Sequence, residues 1–216
     1  KLNGEVKTAK ITRTGASIRI ALPSAGLYPA PSSQSIEIGF TDSVDGAKSF
    51  TREYTIPIFF EDFNSLPLGP NVDEASVGEN VWTKTPPQGW TIDDSGVPGA
   101  GDPENDGRTE WAGWSFADAL WWPTVDDQQR SQFTKASGAV AVADPDEWDD
   151  GPHLPSAENG WYNTYMTTRE ISLEGVSENT AFVRFDSSWR PEFDDNYHQS
   201  ANIRVSFDGG EPVEIL

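Results

Sequence analysis

Apolar and polar residues alternate at period two between Gly- and Pro-rich breaks, and no apolar stretch runs at helical period; this pattern limits the chain to strands joined by turns and loops. Val6, Ile11, Ile18, Ile20 and Leu22 sit among Lys, Thr, Arg and Ser. After the Pro-rich LYPAPSS, the runs SIEIGFTDS and KSFTREYTI flank the turn signal Asp45-Gly46. Near the other end come YNTYMTTREISL, NTAFVRFDSSW and SANIRVSFDGGEPVEIL, the last with Asp208-Gly209-Gly210 as a hairpin signal. Sixteen Pro and 19 Gly in 216 residues argue against helical bundles and doubly wound sheets, so the expectation is an all-β protein long enough to bury a real core.

Ile56-Pro57-Ile58 interrupts the alternation, because Pro57 has no ladder donor. Residues 1–57 then form three or four antiparallel strands, too few for a whole sandwich, and read as the C-terminal strands of an immunoglobulin-like domain. Residues 58–216 form the second domain, dominated to about Glu170 by long loops around short apolar strands such as GAVAVA. The chain starts at Lys1 without Met and stops at Leu216 inside a strand pattern, so it reads as an internal piece of a longer, processed polypeptide. The second domain would then be truncated before its last strands, leaving Val213-Glu214-Ile215-Leu216 as an open edge for self-assembly.

The formal charge of -20 repels phosphate backbones and anionic lipid, so nucleic acid is not an expected partner. No apolar run is long enough for direct membrane insertion. Cations are the natural counterparts, although solubility in a salty or extracellular medium explains the same charge. With no cysteine, disulfide frameworks, thiol catalysis and thiolate metal sites are excluded.

Carboxylates concentrate beside aromatic rings in three tracts: DDSGVPGAGDPENDGRTEW from Asp93, DPDEWDDG from Asp144 and RPEFDDNYHQ from Arg190. Asp102, Glu104 and Asp106 stand at alternate positions before Gly107, the spacing by which calcium loops converge their oxygens on one point. Gly113 occupies the place of the usual bidentate Glu, with Glu110 as a substitute ligand. Asp144, Asp146, Asp149 and the adjacent Asp150 repel one another unless a cation or solvent screens them. Calcium is therefore the expected cofactor, against the plainer reading of solvated loops at a sandwich rim. Nine Trp mostly serve a core, but the pair Trp121-Trp122, if extended, points its rings to opposite faces, and with Trp161 it supplies candidate sugar-stacking platforms. Catalytic signatures are missing: there is no G-x-S-x-G, H-E-x-x-H or phosphate loop, and the only imidazoles are His153 and His198.

The order FFEDFN, PPQGW, TIDDSG, a small-residue strand, SLEGV and the VSFDGG hairpin resembles the choice-of-anchor J and cleaved-adhesin modules of secreted bacterial proteins, from about Phe59 to Leu216. These are MAM-like jelly rolls. The resemblance implies an antiparallel jelly-roll β-sandwich appended to surface proteins, hydrolases or phosphoesterases, often with a structural calcium. It places Glu61 and Asp62 near a closing strand with a Trp-x-x-Asp-Asn ending, which this chain lacks. By GFTDS and the aromatic strand after it, the segment before Pro57 is similar to the tail of bacterial immunoglobulin-like domains.

The expected function is a non-catalytic extracellular module of a larger secreted or surface bacterial protein, for adhesion or carbohydrate binding, with calcium-stabilised loops. Its partners would be a glycan or a neighbouring surface protein. Two alternatives stay open: a structural subunit of a surface layer or filament, and an accessory domain beside a hydrolase or phosphoesterase.

Overall fold

The computed structural model describes residues 10–14, 17–21, 32–42, 44, 46–102, 104–153, 162–191 and 199–216. The protein is all-β: among the described residues every ladder is antiparallel and helix is confined to short turns.

Before Pro57 the described residues make two hairpins. Strands β1 (Lys10–Thr14) and β2 (Ser17–Ala21) pair with Ile11 opposite Ile20. Strands β3 (Ser32–Asp42) and β4 (Gly46–Ile56) pair along their whole length, from Ser32 opposite Ile56 to Asp42 opposite Gly46. Gly46 supplies the positive φ, 78°, that closes the second hairpin, and β4 ends at Ile56, where Pro57 withdraws the next donor.

The core lies further on. Strand β5 (Trp82–Thr83) pairs with β7 (Ser115–Asp118), which pairs in turn with β8 (Ala139–Val142), the small-residue strand. Strand β6 (Thr91–Gly96) pairs with β9 (Asn163–Thr167), Asp93 opposite Tyr165. The small side chains of β7 and β8 let large rings pack over them. Val97, Trp111, Ala117, Trp121, Val140, Val142 and Trp148 form one buried cluster, with Trp111 stacked on Trp121 at 5.9 Å. Burying a ring of that size removes its large apolar area from water, which makes this cluster the main source of cohesion among the described residues.

Two helical turns hold the loops to this core. Helix α1 (Trp122–Val125) follows a tight turn in which the Asp118 carboxylate accepts the backbone N–H groups of Leu120 and Trp121, both at 2.9 Å. Pro123 fits the first turn, where no intrahelical donor is needed. Helix α2 (Pro145–Asp149) is capped by Asp144, which accepts the Glu147 N–H.

The last third departs from expectation. Strand β10 (Arg204–Val205) and strand β11 (Val213–Glu214) form the hairpin around Asp208-Gly209, extended by Ile203 N–H to Leu216 O at 2.9 Å. The run Asn179–Trp189, patterned as a strand, joins no sheet and its side chains are exposed. Alternation prepares a face for burial, but a strand forms only where a partner accepts its ladder, and none of the described residues does so here.

Candidate functional site

The two acidic tracts that sequence spacing marks as metal loops are zipped together. Gly107 N–H donates to Pro152 O and Arg108 N–H to Trp148 O, both at 2.9 Å, and Asp106 bridges to His153. Gly107 is required by this approach rather than by a metal-loop turn. It has φ 71°, and a Cβ there would collide with the Trp148 carbonyl and indole.

Their carboxylates, however, are spent on separate tasks. Asp102 closes its own turn through Glu104 N–H and the Asn105 amide, and Glu104 faces solvent. Asp106 is buried and accepts the Thr109 hydroxyl at 3.4 Å, while its backbone carbonyl takes the Trp148 indole N–H at 2.7 Å. Burial raises its pKa. Glu110 turns away to the loop at residues 71–78, so the four oxygens expected from Asp102, Glu104, Asp106 and Glu110 do not converge. The physical reason is the 3₁₀ turn at Thr109–Trp111, which carries Trp111 into the core and swings Glu110 beneath the backbone of that loop.

Asp144, Asp146 and Asp149 also part company. Asp144 and Glu147 share the buried Arg130 guanidinium, each 2.7 Å from Nη2. Burial raises Glu147 above the ordinary carboxylate range although Arg130 draws it down. Asp146 is exposed and receives the Gln128 amide, and Asp149 meets His153 Nε2 at 3.2 Å. Glu61 and Asp62 accept N–H groups of Phe63 and Asn64, closing local turns. Among the described residues, no three His, Cys, Asp or Glu side chains gather as an ion site.

The tryptophan pair is not extended. The Asp118 turn places Trp121 in helical conformation, and its ring is 7% exposed, with the indole N–H donated to Ser76 O at 2.6 Å. Trp122 is half-buried with the Arg130 guanidinium 5.4 Å above its ring. Both rings therefore pack inward in place of forming a platform, and Trp161 lies outside the described residues. His198 lies outside them as well.

Spacing did not single out a different surface, the outer face of β6 and β9. Thr91, Asp93 and Ser95 on one strand and Asn163, Tyr165 and Thr167 on the other all face solvent, because period two sends Ile92, Asp94, Thr164 and Met166 the opposite way. Tyr165 is 48% exposed, and its hydroxyl is held by the Asn163 amide at 3.2 Å. The Ser95 hydroxyl and N–H hold Asp93 below the usual carboxylate range, so it is a fixed, ionised acceptor beside the ring. Beneath, Thr164 donates to Asp94 at 2.7 Å and Asp94 pairs with Lys84 at 3.0 Å, which pins the two strands from the inner side. The signal in sequence was the alternation of TIDDSG and NTYMT, which puts Asp93 and Tyr165 on one face only once the register is known.

Comparison with protein families, with curated proteins and with solved structures finds no match to this chain.

Proposed function

We propose that the chain is a non-catalytic extracellular module of a larger secreted or surface bacterial protein, built on a jelly-roll β domain, and that it binds carbohydrate through the outer face of β6 and β9. The observation that carries this reading is the pairing of Tyr165 with Asp93 on a polar, solvent-facing strip. A sugar ring needs an aromatic surface for its C–H face and fixed planar acceptors and donors for its hydroxyls, and Tyr165, Asp93 and Asn163 offer both within one cross-strand unit. The buried carboxylates support the non-catalytic part, since they serve as acceptors for backbone, indole and guanidinium donors.

Glycan-array binding followed by calorimetry tests the reading. Tyr165→Ala should weaken binding of any retained neutral oligosaccharide at least about tenfold, in line with the roughly 0.5–1.5 kcal/mol of an aromatic contact plus its lost area, and leave the melting temperature within a few degrees. Binding that survives Tyr165→Ala and Asp93→Asn would place the ligand elsewhere, and an array without binders would remove the carbohydrate reading.

A second reading, a structural subunit of a surface layer, is favoured by the β10–β11 hairpin. Val213, Ile215 and Leu216 are exposed along a strand that pairs on its Ile203–Val205 side. Concentration-dependent sedimentation that Val213→Lys abolishes would support it over the first.

A further inference from the structure

Charge is unbalanced across the outer face of β6 and β9. Thr91, Ser95, Asn163, Tyr165 and Thr167 are uncharged, which leaves Asp93 as the charged side chain of the strip. Among the described residues no Lys, Arg or His side chain pairs with it. The cations of the adjoining chain are engaged elsewhere. Lys84 pairs with Asp94 on the inner side and donates to Ala112 O, and Arg169, beyond the end of β9, lies 5.1 Å over the Phe59 ring. Asp94 is thus neutralised from beneath, whereas Asp93 faces solvent without a counter-ion.

An exposed carboxylate is ordinary when it swings freely in water, but this one is held. Its Oδ1 accepts the Ser95 N–H at 3.0 Å. The Ser95 hydroxyl and N–H together keep it ionised, below the usual carboxylate range. A carboxylate has about four lone-pair positions, so the bonds from Ser95 leave others open to a ligand. Directly opposite stands Tyr165. Its hydroxyl oxygen accepts the Asn163 amide at 3.2 Å, so its own proton remains for a ligand oxygen. The irregularity between Asp93 and Gly96 seats Asn163: a Cβ at Gly96 would come within 2.6 Å of the Asn163 carbonyl, and glycine lets the strands close there.

We propose, resting on the glycan-binding reading of this face, that the strip selects amino sugars, with Tyr165 taking the C–H face of the ring and Asp93 taking the ammonium group. Residues directly opposite in an antiparallel pair carry Cβ atoms about 4.5–5.5 Å apart, so a pyranose lying against Tyr165 brings a ring substituent to Asp93. An ammonium there donates charge-assisted hydrogen bonds to the carboxylate and is drawn to the electron-rich tyrosine ring. N-acetylation removes the charge and both attractions with it. A uronic acid or sulfated sugar places like charge beside Asp93 and also meets the repulsion of a chain with formal charge -20. The ligand class is therefore set by one fixed carboxylate, and the aromatic contact is common to neutral and amino sugars alike.

Calorimetry of the full chain at low salt, at a pH of about 6 where sugar amines are protonated, tests the proposal with three probes: a glucosamine tetramer, its fully N-acetylated counterpart and a uronic acid tetramer. The glucosamine tetramer should bind at least about threefold more tightly than the N-acetylated one, a ratio in keeping with a solvent-exposed but oriented ion pair. The uronic acid tetramer should bind most weakly. Asp93→Asn should bring the ratio to about one, and so should screening by about 1 M salt. Glu104→Gln, which removes the same charge from an exposed loop off the strip, should keep the ratio. Tyr165→Ala should weaken the glucosamine and the N-acetylated tetramers together. An N-acetylated tetramer that binds through Tyr165 as tightly as the amino form would overturn the amino-sugar selectivity and leave the glycan-binding reading standing. Selectivity that Glu104→Gln erases as fully as Asp93→Asn would also overturn it, by assigning the preference to the net charge. Binding by none of the tetramers, or binding indifferent to Tyr165→Ala, would overturn both.

Discussion

The segment from Gly69 to His153 and the segment from Thr168 to Leu216 invert what their sequences advertise. The first has short strands, two small helices and long acidic loops, yet the buried apolar side chains of the core run from Val97 to Trp148 within it. The second has the cleaner alternation, yet Phe182, Val183, Phe185, Trp189, Phe207, Val213 and Ile215 are exposed. Burial follows from having somewhere to put an apolar face and a partner for each polar group that goes with it. The loops meet both conditions: Glu74, Asp106 and Ser76 take the indole N–H groups of Trp111, Trp148 and Trp121, and Glu110 takes the backbone of the loop at residues 71–78. The later strands pair with each other as a hairpin but find no place to bury their apolar faces among the described residues.

The contrast can be attacked from its strongest point. Trp111→Ala, which removes a fully buried ring stacked on Trp121 and bonded to Glu74, should cost about 3–5 kcal/mol in urea unfolding, or leave the chain unfolded. A loss near 1 kcal/mol would mean that the loop region is not the stable half. Arg130→Met should cost a similar or slightly smaller amount, about 3–5 kcal/mol, by leaving Asp144 and Glu147 facing each other without their shared guanidinium. Adding Glu147→Gln should recover part of that loss, which a simple packing defect at Arg130 would not allow. At the small end, Phe182→Ser should change stability by no more than about 0.5 kcal/mol. A larger effect would show that this run is covered by a partner in solution and would erase the contrast between the two segments.

Part of this was legible without coordinates. The β3–β4 hairpin follows from the alternation of SIEIGFTDS and KSFTREYTI around Asp45-Gly46, and GAVAVA announced β8 by its small residues and short length. The paired tryptophans form a platform only in an extended run, whereas the Asp118 carboxylate three residues back folds the chain into a helical turn and sends both rings inward. Spacing also grouped Glu110 with Asp102, Glu104 and Asp106, the acids that precede it in the same tract. Its partner in space is Asp73, 37 residues earlier, and local spacing carries no information about such a contact.

What the sequence by itself determined was what alternation and composition express locally: an all-β chain, its hairpin turns, a strongly acidic net charge, and the absence of thiols. What only the tertiary structure decided was the fate of each acid and ring: Glu110 under a distant loop with one oxygen unpartnered, Trp121 in the core, and Tyr165 beside Asp93 on an open face. The reason is physical. A backbone pattern is set by neighbours a few residues apart, whereas the ionisation, burial and exposure of a side chain depend on groups brought together from across the chain.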